Sequence, residues 1–393
     1  MLDEDQVRTA LAAVLPRRGE EDPWDGLDPV EAGRDYLRRL LDGGWAVPTW
    51  PREYGGRGAS AGEAALIDRV RAEFHQPGLY PFGVGMALVG PVLMRFGTRE
   101  QRDRWCLAIA SGEQLWCQLF SEPEAGSDIA GLATRATLDG DTWSFHGQKV
   151  WTSRALSADM GFCLARTDVK APKHRGLSMF ALPMRQDGVT VRPLRQMNGD
   201  AHFNEVFLDG CTAGAMSLIG EREAGWSVAL TALSFERSTT VIREVAPDPI
   251  AVPDWLAKLH SSGALEDPVV LDDAMRAFTM SATAALADIR AADMRTAGAP
   301  GAEGSAGKIR HSASYKAVAG AAFGAQHLDG LLAGSDAARL LLTAPSMSIR
   351  GGTDEIQRNI IGERVLGLPK DPFRDTDIPW DQRRTSRPKG ASA

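Results

Sequence analysis

The chain is poor in cysteine, has no long apolar run and carries no excess of positive charge, and each shortage removes a class of function. Its four cysteines, Cys106, Cys117, Cys163 and Cys211, are widely spaced and form no CxxC pair. They read as buried thiols in a reducing compartment, not as a disulfide framework or a zinc site. The seven histidines show no HxxxH or Glu-x-x-His spacing, so no metal centre is expected. No apolar stretch approaches the roughly 20 residues of a spanning helix. The opening Met-Leu-Asp-Glu-Asp is acidic and lacks the apolar core of a signal peptide, so a soluble, cytoplasmic protein with no membrane span is expected. The net charge is -7, with acids and bases interspersed. That balance argues against a nucleic-acid surface and leaves any polyanionic ligand dependent on local basic residues. No Gly-x-Ser-x-Gly elbow, P-loop or internal repeat is present, so hydrolase and kinase readings have no support.

What is present is a globular chain of 393 residues with 44% hydrophobic content, enough for two or three domains. Residues 1–114 read as helical: Val30–Leu41 and Ala64–Phe74 place apolar residues at helical spacing, punctuated by Gly and Pro clusters. From 115 to 220 short runs such as Thr142–Phe145, Met160–Ala165, Leu177–Leu182 and Val189–Val191 alternate with Gly, Asp and Pro turns, the texture of a β-domain. Helix returns over 221–369, in Trp226–Arg243, Asp272–Arg295, Lys308–Ala333 and Asp354–Val365, broken by a proline-rich loop at Pro247–Pro253. Residues 370–393 read as a polar tail, extended or disordered. The order α, β, α argues against a Rossmann domain. Gly83-Val-Gly-Met-Ala-Leu-Val-Gly90 has the wrong spacing for a dinucleotide fingerprint and follows no strand, so its glycines read as close helix packing.

Two short segments carry the chemistry. In Gln118-Leu-Phe-Ser-Glu-Pro-Glu-Ala-Gly-Ser127 a strand-forming run ends in a turn where Pro and Gly let a ligand approach the main chain. In Gly147-Gln-Lys-Val-Trp-Thr-Ser153, read as a second turn, Trp151 offers a flat apolar face and Ser153 a hydroxyl beside it. A planar heteroaromatic cofactor needs that combination of stacking surface and polar-edge hydrogen bonds. Either segment alone is better read as an ordinary polar turn of a β-domain.

Together, and in this order, the two segments resemble the acyl-CoA dehydrogenase flavoproteins. Gly44-Trp-Ala-Val-Pro-Thr-Trp-Pro-Arg-Glu-Tyr-Gly-Gly56 is similar to that family's N-terminal segment. Phe203-Asn-Glu-Val-Phe207 and Gly225-Trp226 are similar to the end of its β-domain and the start of the next helix. Arg350-Gly-Gly-Thr-Asp-Glu-Ile-Gln-Arg358 and Glu363-Arg-Val-Leu-Gly-Leu-Pro369 are similar to its C-terminal helix. The resemblance implies a multidomain α and β fold: an N-terminal helical domain, a central β-barrel-like domain and a C-terminal four-helix bundle. It implies FAD as cofactor and α,β-dehydrogenation of an acyl thioester, in which a carboxylate takes the α-proton and hydride leaves the β-carbon for the flavin. The substrate would be an acyl-CoA or acyl-carrier thioester, and the acceptor an electron-transfer flavoprotein or similar protein.

By the same resemblance Gln118, Phe120 and Ser121 lie along the flavin ring, with Ser121 bonded to its pyrimidine side. Trp151 and Ser153 cover its other side, and Thr353 and Glu355 contact the cofactor from the C-terminal motif. Glu355 stands where Gln is frequent, and is equally a first-turn acid favoured by the helix dipole. Ser127 and Asp128 fall near the CoA-side entry; for Asp128 a simple turn role is an equal reading.

The chain departs from the family at the base. The usual catalytic carboxylate precedes Gly-Thr in the C-terminal motif, and here that position is Gly351. A minority of the family place the base in a Glu-Arg pair on the first C-terminal helix, which makes Glu236 the candidate, with Arg237 beside it as a substrate contact. A Glu-Arg pair on a helix is also an ordinary structural ion pair. The backbone N–H of Gly351 remains available to a thioester carbonyl. The Arg-x-x-Phe-Gly segment that reaches a neighbour's FAD pyrophosphate is missing from Glu244–Asp267, and a later Gly-Gly-x-Gly stretch is altered to Ala322-Phe-Gly-Ala-Gln-His-Leu-Asp-Gly330. These changes open an alternative: a non-catalytic or half-site partner subunit of a heteromeric dehydrogenase. A homo-oligomer or a heterotetramer is expected.

Overall fold

Asp28 starts the first well-packed helix, its carboxylate accepting from the N–H groups of Val30 (2.8 Å) and Glu31, with Pro29 in the first turn. The computed structural model describes residues 2–238, 251–296, 303–332, 334–370 and 377–382, with backbone alone for 236–238, 292, 295–296 and 303. They form two compact units, one of residues 1–194, 202–235 and 371–393, the other of 195–201 and 236–370.

The first unit begins with α1 (Glu4–Ala12), α2 (Pro29–Leu41), α3 (Ala61–Arg71), α4 (Gly90–Phe96) and α5 (Arg99–Ala110). Capping boxes, Ser60 with Glu63 and Thr98 with Gln101, start α3 and α5 by satisfying orphan N–H groups. The glycine run lies in a π-helical turn, Val84–Val89, that leads into α4. A Cβ on Gly90 would stand 2.0 Å from the Trp50 ring, and one on Gly85 3.1 Å from Ile109. These glycines allow close packing, as the spacing implied.

The strands are β1 (Trp116–Leu119), β2 (Arg135–Asp139), β3 (Thr142–Ser153), β4 (Met160–Arg166), β5 (Leu177–Pro183), β6 (Val189–Leu194), β7 (Phe203–Gly214) and β8 (Leu218–Ile219). They form one sheet in the order β6-β7-β3-β2-β4-β5-β8, with β1 parallel to β4. Trp143 and Phe145 of β3 meet Phe180 of β5 edge to face in its core, with Leu119, Leu182 and Val206 around them. All seven residues of β4 are buried, as in a strand covered on both faces. Cys106, Cys117, Cys163 and Cys211 are buried free thiols, and burial pushes Cys163 up to about 12.

Four expectations change, the last of them in the helix that begins at Glu303. The Gly147–Ser153 segment is not a turn: it is the second half of the twelve-residue β3, which stays paired with β7 through register shifts at Phe145/His146 and Lys149/Thr152. Bulges absorb the irregularity that reads as a turn locally. Within the presumed tail, residues 377–382 dock on the first unit. The Trp380 indole N–H donates to the Gly131 carbonyl (3.2 Å), and the Arg166 guanidinium lies 4.7 Å from the indole centroid. A large ring with a donor repays ordering in a way that the surrounding polar residues do not. Pro253 belongs to the first turn of a helix, where its missing N–H costs nothing; residues 239–250, which include Pro247, lie outside the described residues.

α6 (Gly225–Ser238) follows the sheet, and its residues to Phe235 belong to the first unit. The second unit holds α7 (Val252–Ser261), α8 (Pro268–Thr296), α9 (Glu303–Gly324), α10 (Asp336–Thr343) and α11 (Asp354–Arg364). Val252, Trp255, Leu259, Val270, Ala274, Ala277, Val318 and Ala322 form one core cluster. The helix expected to run from Lys308 to Ala333 stops at Gly324, and a 3-10 turn, His327–Leu331, replaces its end. Among the described residues, no helix is long and apolar enough to cross a membrane, and no three His, Cys, Asp or Glu side chains cluster as metal ligands.

Candidate active site

β1 delivers Gln118 beside Phe162 of β4, then the chain leaves the sheet through Phe120 and Ser121. Phe120 is buried, its ring 5.5 Å from that of Phe162, and Ser121 is half-buried. A tight turn closes where the N–H of Glu122 donates to Ala125 O and the N–H of Ala125 to Glu122 O, both at 3.0 Å. Beyond it Ser127 is exposed. Lys173 Nζ donates to both carboxylate oxygens of Asp128, at 3.1 Å.

β3 brings the second segment to the first. The N–H of Val150 donates to Ser121 O at 2.9 Å. One residue on, Trp151 has φ 59°, a left-handed value that is an outlier for a bulky side chain. Its ring is 61% exposed and meets Phe203 edge-on at 5.9 Å, so a broad aromatic surface faces solvent beside the Ser121 turn. Ser153 pairs with Phe203 and is half-buried. Arg154 is also left-handed (φ 53°), its N–H bonded to His202 O (2.8 Å) and its guanidinium 5.3 Å from the Tyr80 centroid.

Beneath both segments lie two charges that the sequence reading passed over. The Lys149 ammonium is fully buried and donates to Glu122 (2.8 Å), Leu164 O (2.8 Å) and Phe120 O (3.1 Å). The Glu122 carboxylate also accepts from the N–H groups of Ala133 (2.6 Å) and Thr134 (3.0 Å). Burial pushes the Glu122 carboxyl up, but the Lys149 charge and these donors outweigh it and hold it below the usual carboxylate range. A signal existed, since Glu122 and Lys149 both lie inside the quoted motifs, but on the page a charged residue reads as solvated.

In the second unit, Gly351 (φ 66°) and Gly352 (φ 84°) turn the chain into α11. Thr353 caps that helix, its Oγ1 accepting from the Ile356 N–H at 3.2 Å, and Glu355 is exposed, 3.8 Å from Arg358. Buried Gln357 donates through Nε2 to Gly351 O (3.0 Å). Lys308 donates to buried Asp354 at 2.8 Å; burial pushes that carboxyl up, and the bonds from Lys308 and Ser348 more than reverse the effect. Glu236 and Arg237 lie on α6, but their side chains are outside the described residues.

Models of the acyl-CoA dehydrogenase family match this chain in three consecutive blocks: the N-terminal domain over residues 3–113, the middle domain over 117–211 and the C-terminal domain over 223–366. The chain belongs to the acyl-CoA dehydrogenase family. It is 35% identical over 379 residues to acyl-CoA dehydrogenase IpdE1 of Mycobacterium tuberculosis, covering 93% of this chain and 97% of that protein. It is 33% identical to IpdE1 of Mycolicibacterium smegmatis, covering 88% and 90%. A solved structure described as "Tcur3481-Tcur3483 steroid ACAD" superposes with a TM-score of 0.75 at 27% identity, over 94% of this chain and 97% of that one. The ChsE4-ChsE5 complex from Mycobacterium tuberculosis gives 0.74 at 25%, with the same coverages. The protein is thus an FAD-dependent oxidoreductase acting on CH–CH bonds, and its reaction is the α,β-dehydrogenation of an acyl-CoA. This acyl-CoA dehydrogenase has the expected multidomain fold.

Proposed function

We propose that this acyl-CoA dehydrogenase uses Glu236 as the base for the α-proton, with the Gly351 N–H polarising the thioester carbonyl. Gln118, Phe120, Ser121, Trp151, Ser153, Thr353 and Glu355 are the proposed FAD contacts, and Ser127 and Arg237 the proposed substrate contacts. The observation that carries the cofactor assignment is the Trp151 ring, exposed and held in a strained backbone conformation next to Ser121. Strain of this kind persists only where the surrounding structure over-determines it, and it concentrates at binding sites. A flat aromatic face beside a hydroxyl-bearing turn fits a planar ring system.

FAD, when bound, supplies the acceptor for the hydride that leaves the β-carbon. Glu236 takes the α-proton, and an apolar surrounding would raise its affinity for that proton toward the working pH. Gly351 and Gly352 are both left-handed, and nothing lies within 4 Å of a Cβ built on Gly351. That openness suits an N–H that must approach a carbonyl. The test is anaerobic mixing of Glu236→Gln with an acyl-CoA: FAD stays bound, and its reduction slows by about 10²–10⁴. Reduction at the wild-type rate refutes the assignment.

A second reading concerns assembly. On α8, Leu271, Met275, Phe278, Leu286 and Ile289 recur at helical spacing and are 38–64% exposed, an apolar stripe fit for another chain. Two solved relatives are described by paired names. The favoured proposal is therefore an oligomer, homomeric or a heterotetramer, with an electron-transfer flavoprotein or similar acceptor and a cytoplasmic setting. Native mass spectrometry of the chain, alone and co-expressed with a second dehydrogenase chain, separates these states; a monomer in both refutes oligomer formation. The first of these relatives is described as a steroid ACAD, which raises a steroid-derived acyl-CoA as the substrate class, testable by comparing ring-bearing with straight-chain thioesters.

A further inference from the structure

We propose that the buried Glu122–Lys149 ion pair is a positioning device, which locks the Phe120–Ser121 turn and the Trp151 bulge into one rigid frame before the cofactor arrives. The inference rests on the assignment of Ser121 and Trp151 as flavin contacts.

Removing two charges from water is expensive, and a neutral, well-packed pair of similar volume often serves stability as well or better. Lys149 is 0% exposed and Glu122 7% exposed, so a pair here has a weak claim to being present for stability. Glu122 directly follows Ser121, and Lys149 stands two residues before Trp151, at the start of the Lys149/Thr152 register shift. Any slack in the pair passes directly to both proposed contacts.

Four stretches of chain meet at the pair: the end of β1 through Phe120 O, residues 133–134 through their N–H groups, β3 through Lys149, and β4 through Leu164 O. Ala133 and Thr134 anchor the carboxylate to the main chain independently of the lysine. The ammonium then ties that anchored carboxylate to two strands. The left-handed backbone at Trp151 is strained and must be held from both sides. The pair and the Val150–Ser121 bond hold the residues before it. The pairing of Ser153 with Phe203 and the Arg154–His202 bond hold those after it. A misplacement of about 1 Å in such a frame is enough to degrade a ligand's alignment.

The test is Glu122→Gln/Lys149→Met, which removes both charges and keeps the approximate volumes. The positioning role predicts an apoprotein melting near or above the wild-type temperature. It also predicts FAD affinity reduced by about tenfold or more, and a changed visible circular dichroism of the flavin that still binds. A purely structural role would instead lower melting temperature and affinity together and leave the spectrum of each bound flavin unaltered; that result overturns the proposal. Should the double variant fail to fold, Glu122→Gln alone preserves the side-chain shape and the lysine's carbonyl bonds. It is expected to weaken FAD binding a few-fold, with the same change in circular dichroism, and wild-type affinity with a wild-type spectrum overturns the proposal. Wild-type protein that takes up no FAD in the same titration refutes the flavin-contact assignment itself, a result independent of the variants.

Discussion

Replacing Trp151 by Ala and by Gly separates the strain at this residue from its contact with the cofactor. Both substitutions delete an indole that is 61% exposed, so little apolar burial is lost in the apoprotein. Both also delete the edge-on contact with Phe203, worth about 0.5–1.5 kcal/mol. They differ at the backbone. With φ at 59°, alanine keeps a left-handed penalty of about 1–2 kcal/mol that glycine does not carry. Glycine loses about 0.4–1 kcal/mol of that advantage through the greater freedom of its unfolded chain. The apoprotein with Gly should therefore exceed the one with Ala by up to about 1.6 kcal/mol in urea denaturation. FAD affinity should respond differently: both variants lose the stacking face, on the order of 1 kcal/mol or roughly fivefold in Kd, by flavin fluorescence titration. An Ala variant as stable as the Gly variant or more so would refute the strain argument. Wild-type FAD affinity in either would refute the contact.

Gly351→Glu meets no steric obstacle but inherits φ 66°, so it should lower stability by about 1–2 kcal/mol in thermal melts. If Glu236 is the base, the new carboxylate should restore part of the activity lost in Glu236→Gln, measured as flavin reduction rate. Glu122 and Asp354 both have folded-state carboxyls held below their ordinary values of 4.5 and 3.8. Each contribution is present above the unfolded value and lost as pH falls through the folded one. Stability should thus fall on the acid side, below about pH 5, and Glu122→Gln should flatten that slope in urea titrations across pH. Gln357→Leu leaves Gly351 O without its donor, so amide exchange in the 351–353 turn should accelerate while α8 and α9 keep their protection.

Much of the fold was legible because it depends on local chemistry. Apolar residues at helical spacing over Val30–Leu41 and Ala64–Phe74 mark α2 and α3. The buried run of β4 announces itself by composition. What misled was segmental ambiguity. Gly147 breaks the texture of β3, so the strand reads as ending there, yet pairing with Leu208 and Phe207 of β7 carries it on to Ser153. Gly324 looks like one more small residue in a long helix, but the turn after it lets His327–Leu331 pack differently.

The candidate site divides along the same line. Trp151 and Ser121 are visible in the sequence because an aromatic face and a hydroxyl are intrinsic to their side chains. Glu122 and Lys149 are visible only as charges, which by default face water. The fold puts them 2.8 Å apart, although 27 positions separate them in the chain. The sequence by itself determined the family, its cofactor and the α, β, α order, since these follow from motifs and periodicity that each segment carries alone. Only the tertiary structure decided that Trp151 is left-handed, that β3 is bulged and that two charges are buried as a pair. Register, bulges and burial are set by partners distant in sequence, and no local window contains that information.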